Sequence, residues 1–429
     1  MKGKFQLIIL IVFIVAAVAG VLVFSGAIPL GSGGAGSLGS VVLWGTVPSS
    51  SISTALTDFN SANPTFVVNY VEKSTDTFDH DLLEALASGV GPDMFFLPDN
   101  LALHYSNKIF TIPYSSYPLT SFKGAFASAG EVFLTSNGIL AFPMSIDPLL
   151  MYYNRSILDA NGIVYPPATW EELVNMVPIL TKKDNTNKII KNAVALGHFS
   201  NIAHAKDILA ALFMQSGNPI ITEKNGALSS VLDSTAGNYN LASVLKFYTD
   251  FADPNSPLYS WNKSFTSSSD VFSREDLAFY FGYGSELPLL VNKNPNQNFF
   301  VAPFPQIKNS NFKLTMSHVT GLAVSAFSRN FNTAFTAASL MATGDFASKF
   351  ASATGTVPAR RNLLAIKQTD AFSPYFYSSA LFARSWLDPS SEDTDNIFSG
   401  MINAVLSNNL SVEAAIKDAS AKMSLLLLK

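Results

Sequence analysis

Five side chains suited to recognition stand where strands give way to loops. Trp44 closes the apolar run Val41–Trp44, and Asp99 and Asn100 follow the strand expected over Asp93–Leu97. Tyr283 and Glu286 flank Gly284 in the segment SREDLAFYFGYGSE. In open α/β sheets, ligands gather outside the carboxyl ends of strands. Flat rings there can cover the C–H faces of a small solute, and carboxylates or amides can match its hydroxyls. Four of the five have a structural alternative. Trp44 can pack on a helix, Asp99 and Asn100 can cap one, and Glu286 can sit in a helix first turn.

Signatures of catalysis are absent from the sequence. There is no H-E-x-x-H, G-x-S-x-G or P-loop motif. The absence of cysteine removes disulfides, thiolate metal sites and thiol nucleophiles. The five histidines, at 80, 104, 198, 204 and 318, are scattered, and His198 and His204 are spaced for different sides of a helix. Gly31, Gly33 and Gly36 spell G-x-G-x-x-G, but they precede the first strand instead of following one. Glu171-Glu172 opens a helix, where capping explains the pair.

Elements that could position these residues alternate along the chain. Val41–Trp44, Phe66–Val71 and Asp93–Leu97 read as strands, with helices from Ser51 or Ser53 to Phe59 and through Leu82, Leu83 and Leu86. Such alternation predicts a mostly parallel sheet covered by helices. Thr169 and Glu172 form a capping box. Further helices are expected near Ile202–Gln215, Asn240–Ala252 and Ser285–Val291, and strands over Phe299–Phe304 and Gly321–Ala326. Two more helices, broken near Ser407–Leu410, complete the tail. Trp170 reads as core, and Trp261 is open to either reading. A length of 429 residues exceeds one ordinary core, so two lobes are expected. Only 14% of residues are charged, against about 25% in typical soluble domains. The net charge of −4 gives no reason to expect nucleic acid as a partner. At the N-terminus Lys2 and Lys4 precede the uncharged run Leu7–Phe24. Eighteen residues suit a membrane-anchoring helix better than a cleaved signal segment. Residues 26–40, GAIPLGSGGAGSLGS, then form a Gly/Ser linker.

Seven segments, in order, carry a family resemblance. They are LLEALASGVGPD (Leu82–Asp93), ILAFPMSIDPLLMYYNRSILDANGIVYPPATWEEL (Ile139–Leu173), SREDLAFYFGYGSE (Ser273–Glu286), VAPFPQ (Val301–Gln306), TGLAVS (Thr320–Ser325), ATGTVPARR (Ala353–Arg361) and LSVEAAIKDASAKM (Leu410–Met423). Their succession resembles the extracellular solute-binding proteins of ABC importers, in the sugar-binding group that includes maltose-binding protein. The resemblance implies a periplasmic-binding-protein-like α/β fold, with two lobes joined by three hinge crossings near Phe142–Asp147, Ser317–Gly321 and Thr356–Arg361. Residues 41–144 plus 320–357 would form the first lobe, and 148–316 plus 361–429 the second. Within that frame Asp147 lies at the first crossing, where it binds a hydroxyl pair or locks the hinge. His318 stands where many relatives have glycine, so it is a ligand contact or a loop residue. One of Arg360 and Arg361 would face the cleft, and Trp386 would present its ring to ligand or pack between helices. Tyr152-Tyr153-Asn154 would be second-lobe structure. The implied function is capture of a carbohydrate or similar polar solute by a monomer, without cofactor, for delivery to permease subunits at the cell surface or in the periplasm. The alternatives are an anchored extracellular glycosidase and a binder of a polyamine or ferric ion.

Overall fold

The computed structural model describes residues 39–224, 226–233 and 240–428. The expected N-terminal membrane helix and most of the linker lie outside the described residues. Among the described residues, no helix is long and apolar enough to cross a membrane.

The first half of the sheet is built as the strand–helix alternation predicts. Strand β1 (Gly39–Gly45) pairs in parallel with β2 (Phe66–Glu72) and β3 (Met94–Pro98). Helices α1 (Ser49–Ala62) and α2 (Phe78–Ala87) connect them. Met94–Leu97 of β3 is buried throughout, as befits a strand covered on both faces.

The next strand, β4 (Ala141–Asn154), is fourteen residues long and serves both halves of the molecule. Helix α3 (Trp170–Leu180) follows with the expected capping box: the Thr169 hydroxyl accepts from the Glu172 N–H, and Glu172 accepts from the Thr169 N–H. Strand β5 (Ile189–Val194), helix α4 (Ala205–Gln215), β6 (Leu277–Tyr283), β7 (Phe299–Pro303) and β8 (Thr315–Val324) come next. Helix α5 (Asp345–Ala353), the short strands β9 (Val357–Pro358) and β10 (Ala383–Arg384), and helices α6 (Ser391–Leu406) and α7 (Val412–Leu426) end the chain.

The hydrogen-bonded order β2-β1-β3-β8-β4-β6-β5 forms one continuous path. Its centre differs from the mostly parallel sheet that alternation predicts. β8 is antiparallel to both β3 and β4, and β6 and β7 are antiparallel to β4. The cause lies in β4 itself. Residues Ala141–Pro148 pair with β8, with β9 added at Ser145 and Ile146. From Leu149 onward the partners are β6 and β7. Two prolines mark the transitions, since proline cannot donate to a ladder. Pro143 faces the bulge at Thr320/Gly321, and Pro148 sits where the partner changes.

Trp170, Trp261 and Trp386 are buried, and Trp44 is half-buried. Trp170 packs edge-on against Phe247 and Phe304, and Trp261 is fully buried with its indole N–H donating to Asn201.

Candidate functional site

Between the end of β3, strand β8 and the segments that lead into α4 and α6, a cleft of about 410 Å³ opens. Its walls come from widely separated segments. Asp99 and Asn100 follow β3, Met316 and His318 belong to β8, Phe199–Asp207 leads into α4, and Ser385–Asp395 runs into α6.

Asp99 is almost wholly buried, at 3% exposure, and accepts the Asn100 N–H and the Ser385 hydroxyl. His318 joins it from β8, with Nδ1 3.4 Å from Asp99 Oδ1 and Nε2 3.6 Å from Asp207 Oδ2. Burial acts to lower the imidazole pKa, but hydrogen bonds and charge from Asp207 and Asp99 outweigh it and hold His318 well above 6.5. Burial raises the Asp207 carboxyl, and His318 overrides this to leave it below its usual value.

The position of Asp207 in the first turn of α4 adds the favourable end of the helix dipole. Because the folded pKa of His318 is raised, its contribution to stability is complete below 6.5 and is lost as pH rises through the higher folded value. NMR titration of the His318 ring is therefore expected to give a midpoint above the ordinary range; a midpoint at or below 6.5 would contradict the bridge.

Lys206, one residue before Asp207, makes the second bridge. Its ammonium lies 2.9 Å from Asp388 and 2.7 Å from Asp395, and it also donates to the Thr394 hydroxyl. Burial acts to lower its pKa, and the two carboxylates prevail and raise it. For Asp388 burial is the stronger influence, so its carboxyl stays above the usual value despite Lys206.

A row of rings runs from the cleft wall into the layer behind it. His204 and Tyr283 meet at 4.8 Å, edge to face, and Tyr283 and His318 at 4.6 Å. His204 holds a left-handed φ of 59°, which a residue with a Cβ adopts only at a cost. Its Nε2 lies 2.7 Å from Glu286. This backbone turn is why α4 begins at Ala205 and not at Ile202. Glu286 also accepts from the Tyr280 hydroxyl and the Tyr283 N–H, and Asp147 accepts the Ser285 N–H. Burial, then the charge of Asp207, raises the Tyr283 phenol well above its ordinary value.

Of the eight residues expected at a site, Asp99, His318 and Trp386 line the cleft. Asp147, Tyr283 and Glu286 form the layer behind it. Trp44 and Arg360 are placed elsewhere. The Trp44 ring lies under the Lys73 ammonium, 3.8 Å from its centroid. The strand-end rule locates a residue along the sheet and leaves its face open, and here Lys73 from beyond β2 covers that face. Arg360 donates to the Thr343 carbonyl, and its neighbour Arg361 donates to the Lys123 carbonyl, so both are held on the β9 side. Trp386 does both things expected of it, lining the cleft while stacking on Phe398.

Sequence reasoning missed His204, Lys206, Asp207, Asp388 and Asp395. One signal was present: His204, Lys206 and Asp207 crowd three titratable groups in four residues ahead of the apolar α4.

A family model for bacterial extracellular solute-binding proteins matches residues 54–373, about three quarters of the chain. The chain belongs to this family. Among solved structures, this solute-binding protein is similar to a cyclo/maltodextrin-binding protein complexed with maltotetraose. The TM-score is 0.72 at 17% identity, over 92% of this chain and 98% of that one. The sugar-binding protein MalE of Xanthomonas citri gives 0.72 at 14% identity, over 91% and 97%. The GacH receptor of Streptomyces glaucescens, solved unliganded and with acarbose, gives 0.66 at 17%, over 91% and 99%. These neighbours share the periplasmic-binding-protein-like α/β fold, and the family and neighbours are binding proteins, not enzymes. A curated protein of Brucella abortus, named as a binding protein, is 25% identical over 119 residues; the match spans 27% of this chain and 28% of that relative.

Proposed function

We propose that this solute-binding protein captures a carbohydrate in the cleft and delivers it to the permease subunits of an ABC importer. The observation that carries the reading is the cleft's composition. The ring of Trp386 and that of Phe199 stand beside Asn100, Ser200, Ser385 and several carboxylates. Rings of this kind cover the C–H faces of a sugar, while the polar groups match its hydroxyls. The neighbours solved with maltotetraose and acarbose support the same ligand class.

Residues 41–144 with 320–357 would move as one lobe, and 148–316 with 361–429 as the other. Hinge closure would occur about β4, β8 and β9. Lys2, Lys4 and the uncharged run Leu7–Phe24 support a tether to the cytoplasmic membrane, with the body outside.

Asp147 and Glu286, the two carboxylates that a glycosidase reading would have to pair across the site, are both engaged. Asp147 holds the Ser285 N–H, and Glu286 holds His204, Tyr280 and the Tyr283 N–H. That engagement favours a binding role over a catalytic one.

Titrating the full chain with a panel of mono- and oligosaccharides tests the reading. A true ligand at a hundredfold excess over its Kd is expected to add about 2.7 kcal/mol of stability, read as a melting shift. Turnover of the oligosaccharide, or a shift only with metal ions or peptides, would overturn it.

A further inference from the structure

We infer that the carbohydrate taken by this cleft carries ammonium groups, as an amino sugar or its oligomer does; this rests on the carbohydrate reading above. The charge arrangement carries the inference. The cleft has two cationic side chains facing its carboxylates, and each is shared between two of them. Lys206 lies 2.9 and 2.7 Å from Asp388 and Asp395, and His318 lies 3.4 and 3.6 Å from Asp99 and Asp207. Each trio is left with net charge of about −1 with its cation protonated, and the His318 trio becomes more negative when it is not. Among the described residues lining the cleft, Lys206 is the one lysine or arginine.

The remaining groups do not restore balance. His204, which also lines the cleft, is paired with Glu286 behind it, and Asp147 lies opposite His318 in the β4/β8 register. A neutral sugar seated here would displace water from unbalanced carboxylates and leave the charge uncompensated. An ammonium group would supply the missing charge. Asp395 is the carboxylate best placed to receive it, since about half of its side chain is open and only one of its oxygens meets Lys206. The rings of Trp386 and Phe199 favour a cyclic solute over a linear polyamine.

Calorimetric titration of the full chain with β-1,4-linked glucosamine disaccharide, its N,N′-diacetyl counterpart, maltotriose and spermidine tests the inference. The free-amine disaccharide is expected to bind about tenfold tighter or better than the acetylated one, and the advantage is expected to shrink as salt is raised. Asp395→Asn is expected to cost about tenfold in affinity for the free amine. Should that variant fold poorly, the salt dependence of the unaltered protein decides the question in its place. Equal or tighter binding of the neutral sugars would overturn the charge inference and leave the carbohydrate reading intact. Binding of spermidine with no binding of any saccharide would overturn both.

Discussion

Lys206→Met is expected to lower unfolding stability at neutral pH by about 3 kcal/mol, toward the lower end of the range for breaking a buried ion pair. The Lys206 and Asp388 side chains are 11% and 6% exposed, so removing the ammonium strands a carboxylate that water reaches poorly. Asp395 suffers less, because 51% of its side chain is exposed and solvent can take over from Lys206. Asp388 keeps the Thr394 hydroxyl, which donates to it at 2.9 Å, and this moderates the loss. With its cation gone, Asp388 is pushed further up and takes a proton more readily. The variant's deficit is therefore expected to be small in acid and to grow as pH rises through that raised value.

Urea denaturation at acidic and neutral pH measures both. Adding Asp388→Leu to Lys206→Met is expected to recover most of the loss, since an apolar pair of similar volume replaces a desolvated ionic one. If the double variant were less stable than the single one, the account of Asp388 as a stranded charge would fail. The bridge also has a positional role. It ties the first turn of α4 to the first turn of α6, and so sets where Asp207 and Trp386 stand in the cleft.

These bridges explain which parts of the site were legible in the sequence. Local features were readable because their causes are local. The Thr169–Glu172 capping box forms as expected, and the break between the tail helices falls at residues 407–411. Asp99 and His318 could be found because one follows a strand end and the other stands out in a crossing segment. By contrast, Lys206 reaches Asp388 across 182 residues, and no periodicity encodes that meeting. The strand expected at Gly321–Ala326 begins at Thr315, because the polar residues Ser317, His318 and Thr320 hide an extended segment whose pairing is fixed by β4. Trp44 shows the opposite limit. The sequence places it at a strand end, but which neighbour covers its ring depends on Lys73, far along the chain and reached through β2.

Asp147→Asn is expected to stabilise the protein at neutral pH by about 2 kcal/mol. Burial raises the Asp147 carboxyl from 3.8 to about 6, against the hydrogen bond from Ser285 and the charge of His318, with Glu286 adding to the rise. A raised folded pKa means that the native state holds the proton more tightly than the unfolded chain. The contribution of that proton is complete below 3.8 and is lost as pH climbs through about 6. An asparagine carries no charge at any of these values, and its amide oxygen can still accept the Ser285 N–H that Asp147 now holds at 3.1 Å. The gain is thus expected to be near zero in acid and to develop as pH rises from 3.8 through about 6. A uniform gain, or a loss at neutral pH, in denaturation curves across that range would refute the burial argument.

The location of this costly carboxylate gives the prediction its functional side. Asp147 lies opposite His318 in the register of the two crossing strands and grips the loop after β6. Gly355, with φ +68°, packs against that same loop: a Cβ there would come within 3.4 Å of Ser285 Cα. β4, β8 and the segment before β9 therefore meet at this carboxylate or at the loop it holds. A charge that destabilises the fold at this position is expected where binding and closure need it. Stability gained by Asp147→Asn should accordingly come with solute affinity weakened by about tenfold, and calorimetry on the same preparation used for denaturation reads both.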